Sequence, residues 1–290
     1  MKRALILFLL SSIMLTSCGS FNYSSASDST ANYIENKGSD TIVNLALAWA
    51  ETYQSDQPDI RISVTGGGSG TGIAALINNT VDIANASRRI KQEEIDEAKK
   101  NGIEPVEFII ARDAIAVIVN AENPVSELTL EQISDIYSGE ITNWSEVGGE
   151  DRSIVKLSRE TNSGTHVYFL ETVLRLGNKE DKTLFSMDTL LLPSSEGIIS
   201  EVRDNPNAIG YDGLGYVPDD LKTIAIAKEA GGPYVLPAIS TVNDKTYPIA
   251  RDLYMYTNGE PTGVVKEYLD WILSAEAQQI VAELGFVPVK

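Results

Sequence analysis

The sequence predicts an α/β protein of two lobes, on three observations. Strand-like and helix-like segments alternate along the chain, which favours mostly parallel sheets covered by helices. About 260 residues follow a polar N-terminal stretch, enough for two domains with cores of their own. No Pro/Gly/Ser-rich linker interrupts them, so the lobes are expected to exchange strands through a hinge instead of sitting as separate beads.

Each element has its own signal. Ile42, Leu45, Ala46, Trp49 and Tyr53 recur at helical spacing and predict the first helix. Ile60, Ile62 and Val64 alternate as in a strand, and Ile83 to Ala86 is a second short strand. Ile73 to Ile77 lies in a helix between them. Gln92 to Lys100 reads as a solvent-facing helix that stops at Asn101-Gly102. Glu104 to Ala111 and Ala114 to Val119 are apolar and β-branched, as in two buried strands. Thr129 and Gln132 suit a capping box opening a helix to about Tyr137. Ile154 to Leu157 is a further strand and Val167 to Leu176 a further helix. Gly263 to Leu273 and Ala275 to Leu284 are apolar-periodic and close the chain as helices.

The N-terminus reads as an export signal. Lys2 and Arg3 precede an apolar run from Ala4 to Leu10, too short to span a bilayer. Leu15-Thr16-Ser17-Cys18-Gly19 resembles the lipobox of bacterial lipoproteins, in which the cysteine is acylated and becomes the first mature residue. Cys18 is the only cysteine, so it cannot pair within the chain. Residues 1–17 are therefore expected to be a signal peptide and residues 18–32, rich in Ser, Asn, Thr and Ala, a flexible tether. The expected location is the cell membrane, lipid-anchored on its extracytoplasmic face, with the remainder of the chain outside the bilayer.

The net charge is −18, and removal of Lys2 and Arg3 with residues 1–17 takes it to −20. That balance argues against nucleic acid, whose binders carry basic faces. It does not exclude a small anion, because local dipoles can outweigh a distant, screened net charge.

Three constructions do favour an anion. Gly38-Ser39-Asp40-Thr41 opens the first helix, and Gly68-Ser69-Gly70-Thr71-Gly72 follows the strand ending at Val64. Asn162-Ser163-Gly164-Thr165 follows the strand Ile154–Leu157. A helix N-terminus presents free N–H groups and the positive end of the helix dipole, and Ser and Thr add neutral hydroxyl donors. Such residues usually serve only as caps, but three convergent N-termini would cage a tetrahedral oxyanion. Arg159 stands beside the third turn, and a guanidinium forks onto two oxygens of such an anion.

The stretches "GSDT", "TGGGSGTGIAALINNTVDIANASR", "SRETNSGT", "IGYDGLGY" and "YPIARDLYMYT" resemble, in order and over nearly the whole mature body, the phosphate-binding proteins of bacterial phosphate ABC importers. The resemblance implies a two-lobed type II periplasmic-binding-protein fold with a two-strand hinge and the ligand in the cleft. It implies crossings near Arg112–Ile118 and Pro237–Pro248, with residues 33–112 plus 242–290 in one lobe and 113–241 in the other. Carried over by position, the phosphate ligands are Ser39, Asp40, Thr41, Ser69, Ser87, Arg159, Ser163, Gly164 and Thr165. The implied partners are inorganic phosphate and a membrane permease, with the chain a monomer, no cofactor and no catalysis. Longer-chain relatives carry an aspartate after the "AS" pair to accept the phosphate proton, whereas this chain has Arg88. Either Arg88 turns away and the acceptor lies elsewhere, or ligands are discriminated differently. Asp40 is one such acceptor; the alternative is that it only caps a helix beginning at Thr41.

Other chemistries lack their residues. No Gly-Lys-Ser/Thr follows a glycine loop, and residues 66–72 miss Gly-x-Gly-x-x-Gly in each register. His166 is the only histidine, expected near the cleft rim, and neither Ser69 nor Ser163 sits in Gly-x-Ser-x-Gly. One histidine and one acylated cysteine cannot assemble a transition-metal cluster. Asp219-Asp220 reads as a solvated turn, and Tyr211, Tyr216, Tyr254 and Tyr256 as core or hinge packing. The alternatives left open are an adhesion or signalling protein reusing the fold, and a binder of another tetrahedral oxyanion such as sulfate.

Overall fold

The computed structural model describes residues 32–289. The lipobox, Cys18 and nearly all of the expected tether lie outside them. In chain order the elements are β1 (Tyr33–Gly38), α1 (Asp40–Asp56), β2 (Arg61–Thr65), α2 (Ser69–Ile77), β3 (Ile83–Ala86), α3 (Gln92–Lys100) and β4 (Pro105–Val119). Then follow β5 (Glu127–Thr129), α4 (Leu130–Ser138), β6 (Val155–Arg159), α5 (Gly164–Phe169), β7 (Leu190–Leu192), α6 (Ser195–Asp204), β8 (Ala208–Gly213), β9 (Lys222–Thr223) and β10 (Ala225–Ala227). The chain closes with α7 (Ile239–Asn243), β11 (Ala250–Asn258), α8 (Gly263–Ile272) and α9 (Ala275–Glu283).

A sheet in the order β2-β1-β3-β11-β4-β8-β6-β7 runs through both lobes, with β9 paired to β4. It is parallel at both ends, β2-β1-β3 and β8-β6-β7, and antiparallel through β3-β11-β4-β8. The expectation of mostly parallel sheets is thus corrected at the centre. There β4 leaves the first lobe and β11 returns to it, so the two run in opposite senses.

Nor is β4 two strands. Arg112 and Asp113 interrupt the apolar run in sequence, yet pairing continues through them, first with β11 and from Ile115 with β8. Asp113 is accommodated because its register partner on β11 is Arg251. A cross-strand ion pair of this kind is invisible to a hydrophobic pattern read along one strand.

Helices cover both faces in each lobe. In the first, α1, α8 and α9 bury Ile42, Leu45, Trp49, Leu269 and Val281 on one face, while α2 and α3 bury Ile73, Leu76 and Ala98 on the other. In the second, α4 and α5 pack Ile133, Ile136, Tyr137 and Phe169 against β4 and β8, with α6 burying Ile198 and Val202 opposite. Val242, Tyr247 and Ile249, just ahead of β11, pack with this second cluster.

Local signals explain most helix ends. Thr129 Oγ1 accepts from Gln132 N and Thr129 N donates to Gln132 Oε1, a capping box, and Gly139 closes α4 at φ +91°. In contrast, α2 begins at Ser69, four residues before the apolar stripe, because Gly67 and Gly68 make the turn at φ +112° and +90°. The helix expected over Val167 to Leu176 is α5, beginning at Gly164 and passing into a π-helical turn over Leu170–Leu174.

Candidate functional site

The three glycine-serine turns become the starts of α1, α2 and α5, and the fold brings them together. α1 and α2 belong to the first lobe and α5 to the second. Thr41 Oγ1 and Thr165 Oγ1 lie 2.8 Å apart, one from each lobe. Ser69 Oγ accepts from Ser87 N at 2.9 Å and lies 3.2 Å from Ser87 Oγ. Gly164 sits directly against both serines, so a Cβ there would collide with their hydroxyl oxygens. Ser163 is the N-cap of α5, its Oγ accepting from the N–H groups of Thr165 and His166. Its own hydrogen stays free to donate.

Ser39, not Asp40, is the N-cap of α1, and it makes no side-chain capping bond. Asp40 occupies the first helical position. Its Oδ1 accepts from Gly67 N at 2.8 Å and its Oδ2 from Arg159 Nη2 at 2.7 Å. The helix beginning at Thr41 with an Asp40 cap is therefore corrected: the carboxylate reaches across the cleft and onto the glycine loop.

Arg159, at the end of β6, is 1% exposed. Nη1 donates to Ser195 Oγ at 2.9 Å and to Asp212 Oδ2 at 3.5 Å, and Nη2 also donates to Pro193 O. Nε is buried and has no partner among the described residues. A charged donor held by carboxylates and a carbonyl, with one N–H to spare, is fixed in place before any anion arrives.

Arg88 does not face these groups. Its guanidinium forks onto Glu94 at 2.8 and 2.6 Å, next to the start of α3. The turned-away alternative is the one observed.

The glycine loop has a second employment. Gly70 N donates to Asn162 O at 3.0 Å, and Asn162 Nδ2 donates to Gly67 O at 2.9 Å. A Cβ on Gly68 would stand 2.8 Å from Asn162 O. Bare backbone thus lets the loops of the two lobes touch, in addition to opening α2.

Four residues at this place escaped the sequence reading: Asp113, Ser195, Asp212 and Arg251. Arg251 Nη2 donates to Asp113 Oδ2 at 3.0 Å and to Thr165 Oγ1 at 2.9 Å. Asp113 and Asp212 are fully buried. Burial raises the Asp113 pKa to about 6, against the pull of Arg251, with the nearby Asp212 charge adding to the rise. Burial raises Asp212 as well, against Arg159. The available signal was a charged residue inside each of two apolar strands, "IIARDAIAVIV" and "ARDLYMY".

His166 is buried, not at the rim. Its Nδ1 lies 3.0 Å from Ser158 Oγ and its ring lies against Phe185, and burial lowers its pKa. Tyr211 stacks on Phe169 in the core, while Tyr216 Oη donates to Asp40 O beside the site.

Two α/β lobes joined by hinge strands, with donor-rich helix starts facing one another across the joint, define a two-lobed binding protein. Residues 24–276 match the PBP superfamily domain. The chain is 31% identical to the phosphate-binding protein PstS of Pseudomonas aeruginosa, covering 92% of this chain and 86% of that one. It is 32% identical to the PstS of Bacillus subtilis, covering 99% and 95%. A phosphate-bound putative phosphate ABC transporter substrate-binding protein from Clostridium perfringens superposes with a TM-score of 0.80 at 35% identity, covering 89% of this chain and 100% of that one. An ABC-type phosphate transport receptor from Vibrio cholerae gives 0.69 at 29%, covering 88% and 99%. The chain belongs to the PBP superfamily and, within it, to the family of the PstS phosphate-binding proteins.

Proposed function

We propose that the chain captures inorganic phosphate outside the cytoplasm and delivers it to the permease of an ABC importer. The observation that carries this reading is Arg159, a buried guanidinium with a spare N–H, set among the starts of α1, α2 and α5. In this reading the ligand groups are Ser39, Asp40, Thr41, Ser69, Ser87, Arg159, Ser163, Gly164 and Thr165. The helix starts supply N–H and hydroxyl donors, and Arg159 supplies the charge. The Asp40 carboxylate, already engaged by Arg159 and Gly67, takes the proton that phosphate keeps and sulfate lacks only by giving up one of those bonds. The protein works by binding and release, as a monomer, without a catalytic step.

Calorimetry with inorganic phosphate tests it. Arg159→Ala is expected to lose at least about 2 kcal/mol, because a desolvated charge-assisted contact disappears. Arg159→Lys recovers part of that loss, since an ammonium cannot fork. Wild-type affinity in Arg159→Ala would put the ligand elsewhere.

Localisation is proposed to depend on acylation of Cys18, which acts through buried methylenes and has no part in the cleft. Cys18→Ala is expected to leave the membrane fraction while binding phosphate normally. Its full retention in the membrane pellet would falsify the assignment.

A further inference from the structure

Arg251 and Asp113 face each other on the two strands that join the lobes, as direct register partners. Asp113 Oδ2 accepts from Arg251 Nε at 3.3 Å and from Nη2 at 3.0 Å. The same Nη2 reaches Thr165 Oγ1 at 2.9 Å and Thr41 Oγ1 at 3.4 Å. The guanidinium lies 5.5 Å from the Tyr168 ring centroid, and Nη1 is buried without a partner among the described residues. Arg251 also lines a groove of about 470 Å³, together with Tyr168 and Tyr254.

A guanidinium has only donors, while a threonine hydroxyl has one hydrogen and two lone pairs. An oxygen that receives a bond from Arg251 uses a lone pair for it and must send its hydrogen elsewhere. Thr41 and Thr165 also bond each other at 2.8 Å, which uses one of their two hydrogens, so Arg251 leaves the pair with one outward hydrogen, the polarity that an anion requires. Thr41 belongs to the first lobe and Thr165 to the second, so one side chain at the hinge holds both sides of the cleft. Asp113 fixes the fork against rotation.

We propose that Arg251, oriented by Asp113, is a positioning residue that turns the bonded Thr41–Thr165 hydroxyl pair so that its free hydrogen donates to the anion, and that it latches the lobes together. This deepens the phosphate-binding reading and rests on it for the nature of the ligand. The latch itself needs no ligand, because its contacts are made in the protein alone.

The test uses the full chain and inorganic phosphate. Arg251→Gln is expected to weaken phosphate binding at least tenfold, and Arg251→Lys less, since an ammonium keeps the charge but not the fork. In a Thr165→Val background the effect of Arg251→Gln is expected to shrink at least threefold, because the hydroxyl it acts through is gone. Binding within twofold of wild type in Arg251→Gln would overturn the proposal. So would an undiminished effect in the Thr165→Val background, which would make Arg251 a support of the fold or a distant charge. Arg251→Gln combined with Asp113→Asn removes both buried charges, and the same expectations apply to that pair if the single variant unfolds. A second readout is the distance between probes at the exposed positions Glu51 on α1 and Asp204 on α6, in phosphate-free protein. Arg251→Gln is expected to shift that distance longer, and an unchanged distribution overturns the latch. Failure of wild type to bind phosphate would instead overturn the proposed function, and the interlobe distance would still judge the latch.

Discussion

Asp113 is an acid that the fold holds without water. Arg251 is its one side-chain hydrogen-bond donor among the described residues, and Oδ1 is buried. Taking a carboxylate out of water costs more than Arg251 returns, and the Asp212 charge adds to the cost, so its pKa rises to about 6 from an ordinary value of 3.8. Between those values the folded chain keeps a proton that the unfolded chain has released, so this residue's contribution to stability falls as pH rises from about 4 to 6. Asp212, also raised by burial, adds a slope of the same sign. His166, held neutral by burial, has the opposite sign, losing stability as pH falls. Asp113→Asn therefore removes a downward slope, and its urea midpoint is expected to gain on that of wild type as pH rises through that window. Parallel profiles for mutant and wild type would show that Asp113 is ionised throughout. At the same scale, Asp40 is neither the cap nor a free acceptor in the structure. Its carboxylate is engaged by Arg159 and Gly67, so a bound anion would have to share Arg159 with it.

At the scale of elements, the start of α2 shows why the glycine loop is built as it is. A Cβ at Gly72 would stand 2.5 Å from Lys37 O and 2.6 Å from Gly38 Cα, backbone atoms that cannot swing aside. Gly72→Ala is therefore expected to push α2 off the end of β1 and lower the unfolding midpoint, by an overpacking cost of about 1–3 kcal/mol. A Cβ at Gly164 would meet the hydroxyls of Ser69 and Ser87 instead, which belong to the site. Gly164→Ala is expected to lose phosphate affinity more than stability, as read by calorimetry and thermal melting on the same samples. The opposite ordering of the two variants would mean that α5 and not α2 is the rigid wall. These contacts also mark what the sequence could tell. The capping box at Thr129, the helix Gln92–Lys100 and the strand Ile83–Ala86 were legible because their signals are local. Likewise the three turns could be found as three helix starts beside Arg159. What could not be read was pairing at a distance: the continuity of β4 through Asp113, the antiparallel centre of the sheet, and the return of the chain at Ala250. Each depends on a partner ninety or more residues away.

The whole molecule sets one further property, the rate at which an anion reaches the cleft. The chain carries −18, and its ligand in the proposed function is itself an anion. Basic residues do line the groove beside Arg251, but most are already paired: Arg88 with Glu94, Arg89 with Glu107 and Arg251 with Asp113. Their fields cancel within a few ångströms, while the excess of carboxylates over the remaining surface does not. At low salt, where the Debye length is about 30 Å at 0.01 M, an approaching phosphate feels most of that excess. At 0.15 M the length falls to about 8 Å, and the anion meets only the local donors of the cleft. The association rate of phosphate, followed by stopped flow, is therefore expected to rise severalfold between those two salt concentrations. Attraction-steered association does the reverse and falls with ionic strength. A falling rate would show that Lys91 and the paired arginines dominate the field at the groove, and that the entrance is tuned separately from the charge of the whole.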